Sequence, residues 1–195
     1  MGTLLYWAKL DNLKAYNNIM CEYHSDDLSA CIKDFTEYDI AKVMKKLYSK
    51  LYVCVSTKEK RWFHFDGIRW SISESGKHLK RNISTELYEY ITQNYMKTSM
   101  AEVENNAVTF DQQCEQRLKI AEEFKEVQKQ CKSLKQTSFK NCIMTECMEV
   151  FHDYAEEFCN KLDSNIDILG FENGVYELDT GIFRSGRAED YLTMS

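Results

Sequence analysis

Not one proline interrupts these 195 residues, and glycine occurs only 7 times. Proline and glycine are the residues that stop helices and permit left-handed turns, so a chain poor in both is committed to long helices joined by a few tight connections. With 44% hydrophobic and 13% aromatic residues it has the apolar material for a core, and the length for one domain or two small ones. No apolar run approaches a membrane span, and the first residues lack the basic-then-apolar order of a secretory signal. No membrane partner is expected, and a reducing, cytosol-like compartment is.

Hydrophobic periodicity divides the chain. Ile40, Val43, Met44 and Leu47 recur at helical spacing, which predicts a helix over 37–50 started by Thr36 or Asp34. Another covers 4–20, with Ser25, Asp26 and Asp27 as a polar connection between them. Over 51–72 the period drops to two and β-branched and aromatic residues take over, predicting a β-meander with Asp66-Gly67 as a two-residue hairpin turn. That turn sets Phe65 opposite Ile68, His64 opposite Arg69, Phe63 opposite Trp70 and Trp62 opposite Ser71. Phe63, Phe65, Ile68, Trp70 and Ile72 then share a core face, and Trp62, His64, Arg69 and Ser71 share the other.

A helix over 77–96 follows, with Leu79, Ile83, Leu87, Ile91 and Tyr95 as its buried stripe. Residues 94–106 are polar and weakly patterned, the expected mobile loop or module boundary. Two further stripes, Phe110, Cys114, Leu118, Ala121, Phe124, Val127, Cys131, Leu134 and then Phe139, Cys142, Ile143, Cys147, Val150, Phe151, Tyr154, Phe158, are expected to pack on each other about a turn at 136–138. Near the end, Asn173-Gly174 suits the positive φ angles of a two-residue hairpin, and Asp179-Thr180-Gly181 supplies a second reversal. The expected fold is α+β and mainly α: a small three-stranded antiparallel sheet with flanking helices, then a long helical hairpin and a terminal β-hairpin. The modules would be a basic α+β unit over 1–100 and the hairpins over 107–195.

Charge is unevenly placed. The formal net charge is −6, yet residues 42–81 set eleven lysines and arginines against Glu59, Asp66 and Glu74, a local balance of +8 that leaves −14 for the rest. A basic module in an acidic chain is the footprint of a nucleic-acid contact, or else a solvated lysine-rich face. The candidate nucleic-acid-binding residues are Lys45, Lys46, Lys60, Arg61, Trp62, His64, Arg69, Lys80 and Arg81. Rings stack on unpaired bases, at about 1–3 kcal/mol each, while cations follow the phosphates. Trp62 has a structural reading as well, as a core residue covered by the 77–96 helix.

The eight cysteines, Cys21, Cys31, Cys54, Cys114, Cys131, Cys142, Cys147 and Cys159, contain no C-x-x-C pair and read as buried free thiols. A metal alternative, Cys21-x-x-His24 with Cys31, lacks a fourth ligand. There is no G-x-x-x-x-G-K-[ST] loop for nucleotide phosphates and no carboxylate cluster for two-metal chemistry. No catalytic residue, metal or cofactor is expected in this segment.

Three stretches carry a family resemblance. The terminal "LGF-x-NGVY-x-L-x-TG-x-FR-x-GR-x-EDY" over 169–191, the "YWAK-x-DN" opening at Tyr6 with Tyr16 after it, and Arg61-Trp62-Phe63-His64-Phe65 with Arg69-Trp70 resemble the viral primase-helicases of large DNA viruses, the poxvirus-like and asfarvirus-like superfamily 3 enzymes. The stretch leading to Lys161-Leu162-Asp163-Ser164-Asn165 is similar to that family's lead-in to the terminal turns, whereas Leu13 stands where the family has proline. The resemblance implies the region between the primase part and the ATPase domain of a hexameric, ATP-driven DNA helicase working at a viral replication site in the host cytoplasm. ATP and Mg would belong to that parent, whose phosphate-binding loop should follow within roughly a hundred residues of Ser195. Connection of the two parts, support of ring assembly and guidance of DNA are the implied roles. The contrasting expectation is an interdomain and oligomerisation scaffold with no DNA contact, favoured by a balance of −10 from Asn82 onward.

Overall fold

The computed structural model describes residues 7, 8, 10–12, 25–106 and 110–193. Helix 4–20, Cys21 and His24 fall largely or wholly outside the described residues. Helices α1 (Ser25–Asp34) and α2 (Glu37–Tyr48) are separated by Phe35 in the left-handed region, φ 48°. Thr36 starts α2, its hydroxyl accepting from the Asp39 N–H at 3.2 Å, and the apolar spacing buries Ile40, Val43, Met44 and Leu47.

Strands β1 (Tyr52–Ser56), β2 (Arg61–Phe65) and β3 (Trp70–Glu74) form an antiparallel sheet in chain order. The turn after β2 is longer than Asp66-Gly67 alone: Phe65 faces Trp70, Phe63 faces Ile72 and Trp62 faces Ser73. Asp66 is responsible, because its carboxylate accepts from the Ile68 and Arg69 N–H groups at 3.0 Å each and closes a four-residue loop with Gly67 at φ 108°. The register therefore moves by two residues. Side-chain parity survives a shift of two, so Phe63, Phe65, Trp70 and Ile72 still share a face, opposite Trp62, His64 and Ser71. Ile68 and Arg69 leave the sheet for the loop.

Both faces are covered. On one, Phe158 packs on Phe63 and Trp70, with ring centroids 5.4 and 4.7 Å apart, although Ile72 at the end of β3 stays 63% exposed. On the other, Trp62 is wholly buried, its ring 5.5 Å from that of Phe151 and in contact with the backbone of Gly76. Residues 151–152 also close the outer edge of the sheet, where the Cys54 N–H donates to the Phe151 carbonyl at 3.3 Å.

The 77–96 helix is two helices, α3 (Lys77–Ser84) and α4 (Glu86–Asn106), bent at Thr85, with Leu79, Ile83, Leu87 and Ile91 buried as the stripe requires. Residues 94–106 form the second half of α4, not a loop, and Asn94 and Val103 are buried there. Helix α5 (Phe110–Cys131) packs along α4, where Phe124 stacks on Tyr95 at 6.1 Å. The next helix, α6 (Thr137–Val150), packs on α2 and α3 instead. The two late stripes thus do not form the expected mutual hairpin. Phe110 and Leu118 are 77% and 71% exposed, and only Val127, Cys131 and Leu134 at the far end of the first stripe are buried. Helix α7 (Ala155–Lys161) follows.

A second antiparallel sheet, β4 (Ile168–Phe171), β5 (Gly174–Glu177) and β6 (Ile182–Arg184), ends the fold. Phe171 pairs with Gly174, so Glu172-Asn173 form the turn and neither has a positive φ. Gly174 is required by a close approach: a Cβ there would stand 2.5 Å from the Arg184 carbonyl oxygen and 2.8 Å from the Phe183 ring. The second reversal is as read, with Gly181 at φ 70°. The architecture is α+β and mainly α, and one hydrophobic cluster reaches from Leu28 to Ala188 through both modules read from the sequence.

Candidate nucleic-acid interface and the terminal latch

The nine candidate residues stand in separate places. Lys60, at φ 51°, ends the β1–β2 turn and Arg61 begins β2, its guanidinium pairing with Glu59 at 2.6 Å. Arg69 lies beyond the opposite end of β2, about 13 Å away at the usual rise of a strand, and faces Asp66 at 3.8 Å. Lys45 pairs with Asp153 and sits 5.6 Å from the Tyr154 ring centroid. Lys80 donates to Asn141 and ties α3 to α6. Lys46 and Arg81 are exposed on their helices.

For Trp62 the structural reading holds over the stacking one: a ring with no exposed surface cannot stack on a base, and it is covered by Phe151, almost ninety positions away in sequence, and by Gly76 at the start of α3. His64 is half-buried between the rings of His78, 4.4 Å away, and Tyr52, 6.2 Å away, with Nδ1 3.1 Å from the Ser71 carbonyl oxygen. Burial first, and the neighbouring His78 second, hold its pKa below the ordinary histidine value. It is a packed ring in a stack, not a cation aimed at phosphate.

Four of the described cysteines are packed inside the fold. Cys31, Cys54, Cys131 and Cys147 are buried, and burial raises all four thiols, Cys31 to about 12 and Cys54 and Cys131 to about 11. Cys114, Cys142 and Cys159 are exposed free thiols, where the stripes had placed Cys114 and Cys142 inside. Among the described residues no group of three or more His, Cys, Asp or Glu is placed to hold a metal ion. Nor, among them, is any helix long and apolar enough to cross a membrane.

The densest polar construction lies in the terminal motif, whose role sequence reading missed. The Arg184 guanidinium donates two bonds to Asp190, at 2.7 and 2.8 Å, and its Nε donates to Glu177. Asp190 also accepts from the Arg187 N–H at 2.7 Å. Arg184 in turn draws the Glu177 carboxyl below the usual range. This turn is fastened to the first sheet by Trp70, whose indole N–H donates to the Ala188 carbonyl at 2.8 Å and whose backbone N–H donates to Leu192 at 2.7 Å. The Asp163 N–H donates to the Tyr191 carbonyl at 2.9 Å, and its carboxylate accepts from the Thr193 N–H at 2.8 Å. Gly186 lies against Ile68 so closely that a Cβ would fall 1.9 Å from the Ile68 carbonyl oxygen. The signal was the spacing of Arg184 and Asp190 across one short turn, which suits a bidentate pair.

Comparison with known proteins gives this arrangement its relatives. Residues 41–195 match the family described as D5 N terminal like. A protein of Acanthamoeba polyphaga mimivirus named "Putative helicase L207/L206" is 29% identical over 198 residues, covering 100% of this chain and 19% of its own length. "Putative helicase 022R" of Frog virus 3 (isolate Goorha) is 27% identical over 98% of this chain and 22% of its own length, and "Putative helicase 121R" of Invertebrate iridescent virus 3 is 27% identical over 99% and 23%. The chain spans about a fifth of the length of these relatives. Matched by the family from Ala41 to its last residue, and aligned over almost its whole length with proteins of large DNA viruses that are named as helicases, the chain belongs to the D5 N-terminal-like family.

Proposed function

We propose that this domain is a non-catalytic connecting segment of a longer viral replication helicase, a rigid spacer between a priming part and a ring-forming ATPase part. The observation that carries the reading is the C-terminal sheet. One of its faces is closed by Leu192 on Ile168 and Val175, and the other presents Leu169, Phe171 and Phe183, each about half exposed among the described residues. An apolar face mounted on a latched turn is a surface for a neighbouring part of the same protein. The relatives, four to five times as long as the aligned region, supply such parts. ATP and Mg belong to the ATPase part in this reading, and ring assembly is helped by fixing where that part stands.

A second reading, guidance of DNA, rests on the cations that remain exposed around the first sheet: Lys58 and Lys60 in the β1–β2 turn, and Lys77 and Arg81 one helical turn apart on α3. Anisotropy titration of labelled single-stranded and duplex DNA at two salt concentrations separates the two. The spacer reading expects nothing tighter than non-specific contact, in the range of about 10⁻⁴–10⁻⁶ M, and no change on Lys60→Glu with Arg61→Glu. Tighter binding that weakens and loses salt dependence in that variant would establish the DNA reading.

A further inference from the structure

Strand β3 lies at an edge of the first sheet, and its outer side is only partly used. The ladder with β2 decides which backbone groups point there. Phe65 donates its N–H away from β3, to the Leu51 carbonyl at 2.9 Å, so Phe65 and Trp70 face each other without exchanging bonds. Alternation then turns the N–H and C=O groups of Ser71 and Ser73 toward β2, and those of Trp70, Ile72 and Glu74 outward. Trp70 has an outer partner, donating to the Leu192 carbonyl at 2.7 Å. Among the described residues, no hydrogen bond reaches the outward groups of Ile72 and Glu74, and the Ile72 side chain is exposed as well. An open edge beside an exposed β-branched residue is a template for another strand. The opposite edge of the same sheet, at β1, is already closed by the Phe151 carbonyl.

The chain itself begins to fill the β3 edge. Leu192 lines one groove with Ile68 and Arg69, and Thr193 lines the next, of about 580 Å³, with Phe63, Ile72 and Leu162. From Leu192 to Thr193 the backbone therefore advances in the direction of β3, with the bond between Trp70 and Leu192 as a first rung. A second copy of the chain suits the edge poorly. Two β3 strands meeting antiparallel about Ile72 would set Glu74 against the Trp70 of the other copy, where Leu192 already stands.

We propose that in the longer protein the polypeptide leaving the fold after Thr193 adds to β3 as a fourth, parallel strand. Its backbone bonds to the open groups of Ile72 and Glu74, and one of its apolar side chains enters the groove between Phe63, Ile72 and Leu162. Main-chain bonds supply the hold in strand addition, and the groove selects the side chain. The added strand presupposes the connecting role proposed above and gives it a direction: the next part of the protein is held through the first sheet, not only against the half-exposed face of the second.

Amide hydrogen exchange resolved to single residues by mass spectrometry reads this edge. In the 195-residue chain the Ser71 and Ser73 amides should be protected and those of Ile72 and Glu74 should exchange freely, as the alternation of the ladder requires. In the longer protein the Ile72 and Glu74 amides should slow about a hundredfold or more, the protection of a closed strand pair. Ile72→Pro removes an outward N–H while leaving the bonds to β2 in place, and in the longer protein it should return Glu74 to free exchange. Equal exchange at Ile72 and Glu74 in the two proteins would overturn the proposal, and oxidation of Phe171 and Phe183 tells which claim has failed. Protection of those two rings in the longer protein would leave the connecting role standing without the added strand, and their exposure would end both. Protection of Ile72 that appears in the 195-residue chain as its concentration rises would also overturn the proposal, by giving the edge to a second copy.

Discussion

The two sheets of this protein are built alike and used differently. Each has three short antiparallel strands in chain order. The first is covered on both faces, by Phe158 on one and by Phe151 on the other, with its β1 edge bonded to residues 151–152. Among the described residues, the second is covered on one face, by Leu192, and leaves Leu169, Phe171 and Phe183 about half exposed on the other. On the reading proposed above, the difference separates their roles. A sheet covered on both faces except at Ile72 is a foundation, whatever charges surround it, whereas a latched sheet with one half-exposed apolar face is suited to contact.

The contrast is sharpest under substitution. Trp62→Ala removes the largest wholly buried side chain of the first sheet and should cost about 3–5 kcal/mol through the cavity it leaves. Urea denaturation measures it; a variant as stable as the parent would mean that Trp62 is not the keystone between Phe151 and Gly76. Arg184→Ala, which unfastens the latch between the sheets, should cost roughly 2 kcal/mol, because Asp190 and Glu177 each lose a charge-assisted partner in a half-covered site. Its thermal midpoint should fall, and an unchanged midpoint would show that Trp70 alone holds the turn. On the open face, Phe183→Ser should shift stability by about 1 kcal/mol or less, the loss of its edge contact with Phe171 at 5.9 Å. A loss as large as that of Trp62→Ala would erase the comparison.

Much of this was legible in the residues. Thr36 and the stripe through Leu47 define α2, the switch to period two locates the first sheet, and strand parity assigns Phe65 and Trp70 to one face whatever the turn length. Family wording in the last stretch pointed to the relatives. The remainder depended on contacts between distant segments. Asp66 draws two backbone N–H groups and lengthens its turn, a choice between turn types that Asp-Gly leaves open. Stripes at three- and four-residue spacing reveal that α5 and α6 have apolar sides but not which helix each meets, so α5 found α4 and α6 found α2. The bend at Thr85 has neither proline nor glycine to announce it. Among the candidate site residues, spacing brought Trp62 and His64 onto one face correctly, yet what covers that face comes from Phe151 and α3, and no local pattern reports it.

The central claim, that the second sheet is a docking face within a longer viral helicase, is tested most directly by hydroxyl-radical footprinting of aromatic side chains in the 195-residue chain and in the longer protein. Phe171 and Phe183 should oxidise readily in the chain by itself and be protected in the longer protein, with Trp62 protected in both. Equal oxidation of Phe171 and Phe183 in the two proteins would contradict the account, because the open face would then have no neighbour to hold.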